Sequence, residues 1–215
     1  MDDNEIWAAI DTQRLRTVEL LEQLSDEEWR HPSLCDGWTV RDVAAHLGLQ
    51  QMSLGAAVLS AIKHPGGLNR MIRESARSRA GLPTEQLVAD IRATAGSRRH
   101  NIGVTSLETL IDILVHGQDI AIPLGRTIEI DTAAAALAAT RVWSYRNKGK
   151  SRVFDNVPLG SYQFTATDTH WSVGNGDTIS GPIAAILLLL TGRAAAVTQL
   201  NGNGIGKLRA QIQRE

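Results

Sequence analysis

The 215-residue chain reads as a mostly helical protein that ends in a small α+β lobe. Apolar residues recur at helical spacing over most of the first 147 positions. Capping-box pairs mark several helix starts, and strict apolar/polar alternation begins only after residue 160. A helical bundle is therefore expected over residues 1–147 and an α+β domain over 152–215, with the boundary at 147–152.

Ile6, Ile10, Val18, Leu21 and Leu24 share one face and predict a first helix over 4–24. Ser25 with Glu28 opens a short helix around Trp29, and His31-Pro32 and Asp36-Gly37 break the chain. Thr39 with Asp42 caps a helix expected to run from 39 to about 62, stopped by His64-Pro65-Gly66-Gly67. Shorter helices are expected near 68–79 and 84–96. Thr105 with Glu108 starts an apolar helix that Pro123 and Gly125 stop, and Asp131 caps an alanine-rich helix through Tyr145. In Ser161 to Asp168, Tyr162, Phe164 and Ala166 alternate with Gln163, Thr165 and Thr167, the pattern of a half-buried strand. Short strands follow at His170–Val173 and Thr178-Ile179 around Gly174-Asn175-Gly176. Ser180-Gly181-Pro182 opens the apolar helix Ile183–Leu190, and Ile205–Gln213 closes the chain as a helix.

Composition narrows the function. A formal net charge of -1 lacks the lysine and arginine excess of a nucleic-acid binder. The first thirty residues form an acidic amphipathic pattern, unlike a basic region followed by an apolar stretch, so no secretory signal is expected there. The longest apolar run has eight residues, against ~20 for a membrane span. Cys35 is the sole cysteine, so no internal disulfide forms, and a reducing, cytoplasmic compartment is expected.

Chemistry concentrates on the helix after Thr105. Glu108, Asp112, His116 and Asp119 lie three or four residues apart and stack on one face within an apolar frame. Asp112 and His116, one turn apart, can share a metal ion. His46, in the apolar sequence Val43-Ala44-Ala45-His46-Leu47, is the candidate third ligand. Two histidines and one carboxylate with an open position suit catalytic zinc, and non-haem iron as well. The same spacing also serves a surface ion pair between Asp112 and His116, with His46 a hydrogen-bonded core histidine.

The segment Pro32-Ser33-Leu34-Cys35-Asp36-Gly37-Trp38-Thr39-Val40-Arg41-Asp42-Val43-Ala44-Ala45-His46-Leu47 resembles the N-terminal motif of the mycothiol-dependent maleylpyruvate isomerase family, part of the DinB-like metalloenzyme superfamily. Asp112-Ile113-Leu114-Val115-His116-Gly117-Gln118-Asp119-Ile120 is similar to the family's second metal motif. Asp168 to Val173, Gly181-Pro182 and Leu187 to Arg193 are similar to its C-terminal lobe. The resemblance implies a DinB-like four-helix bundle followed by a sterol-carrier-like α+β domain. It implies a divalent metal, usually zinc, on His46, Asp112 and His116. The implied cosubstrate is mycothiol, its sulfur at the open metal position as a thiolate that attacks a small electrophile. Where the family typically has glutamate this chain has Asp112, one methylene shorter, so the helix must approach the metal more closely.

Further residues carry weaker expectations. Arg193 could act at the site by anchoring a substrate carboxylate, or be a cation solvated at a helix C-terminus. Asp119 could orient a ligand histidine, and Trp38 stands at the mouth of the metal helix. Cys35 reads as a structural thiol, because no base stands beside it in sequence. Seven arginines against three acids over residues 64–100 read as a solvated face, or as a field for anionic substrates. Gly202-x-Gly204-x-Gly206 lacks the spacing of a dinucleotide fingerprint. A metal-dependent transferase or isomerase that uses mycothiol is the leading expectation. A hydrolase of the same fold and a non-enzymatic lipid or small-molecule binder, with Ile183–Leu190 lining its pocket, are the alternatives.

Overall fold

The structure, a computed structural model, describes residues 1–51, 68–101, 103–145 and 159–213. It is mostly helical with one small three-stranded sheet. It divides into two compact units, Asp2–Glu129 and Ile130–Glu215, with Met1 counted in the second.

The N-terminal unit holds α1 (Asp3–Leu21), α2 (Asp26–Arg30), α3 (Val40–Leu47), α4 (Leu68–Arg79), α5 (Thr84–Arg92) and α6 (Ser106–Ala121). The expected capping boxes form at Ser25/Glu28, Thr39/Asp42 and Thr105/Glu108, and a further one, Asp2/Glu5, starts α1. Each satisfies two amide groups that the first helical turn leaves without partners. Glu108 accepts from the Thr105 amide in its cap. The helix expected over 39–62 ends at Leu47, capped by Gly48, and residues 48–51 form a turn; residues 52–67 lie outside the described residues. α1 packs against α5 and α6, and α3 packs against α4, α5 and α6. Ile10, Val18, Leu47, Leu87, Leu110 and Ile113 are fully inaccessible in the resulting core.

Arginines of the basic stretch tie this unit together. Arg79 pairs with Asp90, Arg92 with Glu22, and Arg98 bonds the side chain of Asn4. Such contacts hold segments in place more than they stabilise, since exposed pairs contribute about 0–1 kcal/mol each.

The C-terminal unit contains α7 (Thr132–Ser144), β1 (Tyr162–Ala166), β2 (Ser172–Gly174), β3 (Asp177–Gly181), α8 (Ile183–Leu190) and α9 (Ile205–Ile212), with a 3-10 turn at Ala194–Gln199. The alanine face of α7, with Ala134, Ala135, Ala138 and Ala139 buried, packs closely on α8. The alanine-rich helix thus groups with the C-terminal unit. The expected boundary at 147–152 lies outside the described residues. β1 pairs antiparallel with β2 and parallel with β3, in the order β2-β1-β3. Linking β2 to β3 carries the chain past the start of β1, where a Cβ on Gly176 (φ +121°) would stand 2.2 Å from the Ser161 carbonyl oxygen. Only glycine fits there. Ile183 and Ala185–Leu190 are buried against α7, β1, β3 and the 3-10 turn, so they serve as core. Gly202, in the triad rejected as a nucleotide motif, lies against the Thr178 carbonyl instead. Among the described residues, no helix is long and apolar enough to cross a membrane.

Candidate metal centre

Two locally determined helices build the site. The Thr39 cap fixes the start of α3 and sets His46 in its last turn, with Gln50 one turn further along the chain. The Thr105 cap fixes α6, whose apolar positions turn inward and leave Asp112, His116 and Asp119 on the side that meets α3. The helix packing brings His46 and Asp112, 66 residues apart, together.

Asp112 Oδ1 lies 3.4 Å from His46 Nε2 and 3.3 Å from His116 Nε2. The imidazoles meet edge to face, centroids 4.9 Å apart, and the Trp38 ring meets His46 edge-on at 5.5 Å. One donor atom from each of His46, Asp112 and His116 falls within 4.8 Å of the others. Donors bound tetrahedrally to zinc at ~2.0–2.1 Å stand roughly 3.3 Å from one another, the scale of the two carboxylate-to-imidazole spacings here. α6 packs on α3 so that Oδ1 of the aspartate lies near both imidazoles.

His116 uses its other nitrogen separately. Nδ1 lies 2.8 Å from Oδ2 of Asp119, a fully buried carboxylate that can only accept, so Nδ1 carries the proton and donates it. Nε2 is thereby turned toward Asp112. Burial works against charge on Asp112, yet His46 and His116 hold its carboxyl well below the usual carboxylate range. Burial likewise opposes charge on His116, but Asp112, Asp119 and Cys35 together hold the imidazole well above its ordinary value. The two opposed shifts make Asp112 and His116 an ion pair.

Two participants escape the sequence reading. Cys35 packs at the same place, its Sγ donating to Asp119 Oδ2 at 3.0 Å and lying 3.6 Å from His116 Nδ1. The imidazole beside this thiol stands 81 residues away, where inspection of the adjacent sequence cannot find it. Leu34 N also donates to the Asp119 carbonyl, so the Cys35 loop is docked on α6 by backbone and side chain. Gln50 donates from Nε2 to Asp112 Oδ2 at 2.5 Å. Its spacing of four from His46, beside the apolar Leu47 and Leu49, is the signal that could have identified it. Arg193 belongs to the C-terminal unit, where its guanidinium donates to the Thr191 carbonyl at the end of α8.

Residues 10–106 match the family model described as the mycothiol maleylpyruvate isomerase N-terminal domain. The matched segment contains His46 and ends ahead of Asp112 and His116. Among solved structures, a crystal structure of the mycothiol-dependent maleylpyruvate isomerase is similar to this chain at 13% identity and a TM-score of 0.64. That alignment covers 94% of this chain and 93% of the other. A histidine-to-alanine variant of that enzyme aligns over the same shares, at 13% identity and a TM-score of 0.63. At such identity the likeness is one of fold. No curated protein matches.

Proposed function

We propose that this chain, a member of the mycothiol maleylpyruvate isomerase family through residues 10–106, is a mycothiol-dependent isomerase or transferase acting on a small electrophile. His46, Asp112 and His116 would hold the divalent cation, with zinc the ion best suited to two imidazoles and one carboxylate at this spacing. The carrying observation is Asp112 Oδ1 lying within 3.4 Å of both Nε2 atoms.

A bound cation would supply Lewis acidity that keeps a thiol ionised near neutral pH. The chain's own residues do the rest. His46 and His116 would offer their Nε2 lone pairs, His116 once it has given up its extra proton. Asp119 holds His116 in the correct tautomer, and the Trp38 ring covers one edge of His46. The reacting thiol belongs to the cosubstrate in this reading, and Cys35 lends a hydrogen bond to Asp119. Arg193, as anchor for a substrate carboxylate, rests on the sequence alone.

Elemental analysis of the purified chain is expected to give close to one divalent cation, lost in His46→Ala and His116→Ala. The metal-loaded protein with mycothiol and a panel of electrophiles, maleylpyruvate included, is expected to turn over only when the thiol is present. Thiol-independent turnover would assign a hydrolase instead. A metal-free chain whose histidine variants behave as wild type removes the reading.

A further inference from the structure

We infer that Arg14 and Gln50 form a positioning relay that fixes Asp112 as a one-oxygen ligand; the inference rests on the cation-holding reading above. Gln50 Nε2 donates to Asp112 Oδ2, and Gln50 Oε1 faces Arg14 Nη2 at 3.5 Å. A carboxylate can only accept and a guanidinium can only donate, so the glutamine amide between them has a single satisfactory orientation. Flipped, it would set oxygen against oxygen and nitrogen against nitrogen. At the long limit of a hydrogen bond, the Arg14 contact orients the amide chiefly as a charge acting on a dipole.

Arg14 is itself immobilised. It is fully buried in α1, and its Nη1 donates to the carbonyl of Thr94 at 2.8 Å, that of Ser97 at 3.3 Å and Asp11 Oδ1 at 3.1 Å. A buried guanidinium is expensive to desolvate, and this one leaves Nε without a partner among the described residues. Stability alone does not account for a cation in that place. What the arrangement accomplishes is a rigid positive anchor behind the carboxylate.

Two consequences follow for the site. With Oδ2 occupied, Asp112 offers one oxygen, which suits a four-coordinate ion and disfavours magnesium or calcium, which collect six or more oxygens. Drawing charge from the carboxylate toward Gln50 and Arg14 also leaves a bound cation more electrophilic.

Zinc affinity is measured by competition with a chromophoric chelator, and the ligand field by the visible spectrum of the cobalt-loaded chain. Gln50→Leu is expected to weaken zinc about 10–100-fold and to shift the cobalt spectrum, as loss of an outer-sphere partner does. Arg14→Met is expected to weaken it less, and the double variant to bind no worse than Gln50→Leu alone. Gln50→Glu, close to isosteric, serves if Gln50→Leu does not fold and is expected to show the same spectral shift. In the wild-type chain, proton–nitrogen NMR is expected to show the Gln50 side-chain amide protected from solvent exchange. Wild-type affinity and spectrum in a folded Gln50 variant, or a solvent-averaged Gln50 amide in the wild type, overturns the relay. A wild-type chain that binds no cation overturns the proposed function instead.

Discussion

Asp119 and His116 are locked together from the far side of the cluster. The fully buried carboxylate accepts a hydrogen bond from Nδ1 at 2.8 Å, while the opposite ring nitrogen lies 3.3 Å from Asp112. His116 therefore stands between two acids of different use. Asp112 faces the other imidazole, and Asp119 faces Cys35 and the loop that leads into α3.

Asp119 is accordingly expected to matter for metal retention without touching the metal. In Asp119→Ala the Nδ1 proton loses its acceptor, the ring can turn, and the proton can move to Nε2. Zinc affinity is expected to fall about 10–100-fold, the usual effect of removing an outer partner of a ligating histidine. Asp119→Asn, which can still accept at Nδ1, is expected to lie between that variant and wild type. Equilibrium competition against a chelator measures both, and an unchanged affinity in the alanine variant disproves the role.

The charges on Asp112 and His116 set a pH dependence with a definite sign. Asp112 is lowered, so its contribution to metal-free stability is present above the unfolded value of about 3.8 and fades as pH falls through its folded value. His116 is raised, so its contribution is complete below about 6.5 and fades as pH rises through its folded value. Chelator-treated protein is thus expected to lose thermal stability from pH 6.5 upward. Cation binding must expel the His116 proton, so affinity is expected to rise with pH over the same range, with proton release detectable in weakly buffered solution. Melting curves with and without zinc at several pH values should diverge upward; parallel curves would contradict the ion pair.

Gly176 offers a test of the sheet. A methyl group there meets the Ser161 carbonyl at 2.2 Å, and φ is +121°. Gly176→Ala is expected to destabilise by about 1–3 kcal/mol or more, given strained backbone and a clash with backbone atoms. Gly160, which has open space where a Cβ would stand, is the control and should tolerate alanine. Chemical denaturation of both variants decides it.

What could be read from the sequence was whatever is decided within a few residues. The capping boxes at Ser25, Thr39 and Thr105 are local exchanges of hydrogen bonds, and all three form where the spacing puts them. The strand at Tyr162–Ala166 follows from alternation, and its buried Tyr162 and Phe164 are the residues that alternation selects. Asp112 and His116 meet because they are one helical turn apart. Cys35 and Arg14 were not legible as neighbours of the site, since contacts 81 and 36 residues apart in sequence, Cys35 to His116 and Arg14 to Gln50, create their surroundings. The parallel pairing of β1 with β3 was hidden for the same reason, because alternation defines a strand's faces and says nothing of its partner.

Cys35 supplies the sharpest separation between two roles for a thiol beside a candidate metal site. If the reacting sulfur arrives with the cosubstrate, the protein's own sulfur needs only to donate a hydrogen bond to Asp119, as it does at 3.0 Å. A serine hydroxyl can donate to the same oxygen from nearly the same place. Cys35→Ser is therefore expected to keep its metal and its thiol-dependent turnover within about threefold of wild type, the scale of one neutral hydrogen bond. Cys35→Ala, which removes the donor, is expected to lose more, through weaker zinc retention and not through an altered dependence on thiol concentration. Were the cysteine itself the nucleophile, both variants would lose turnover together while keeping the metal. Comparing metal content with the thiol-concentration profile in the two variants distinguishes the cases.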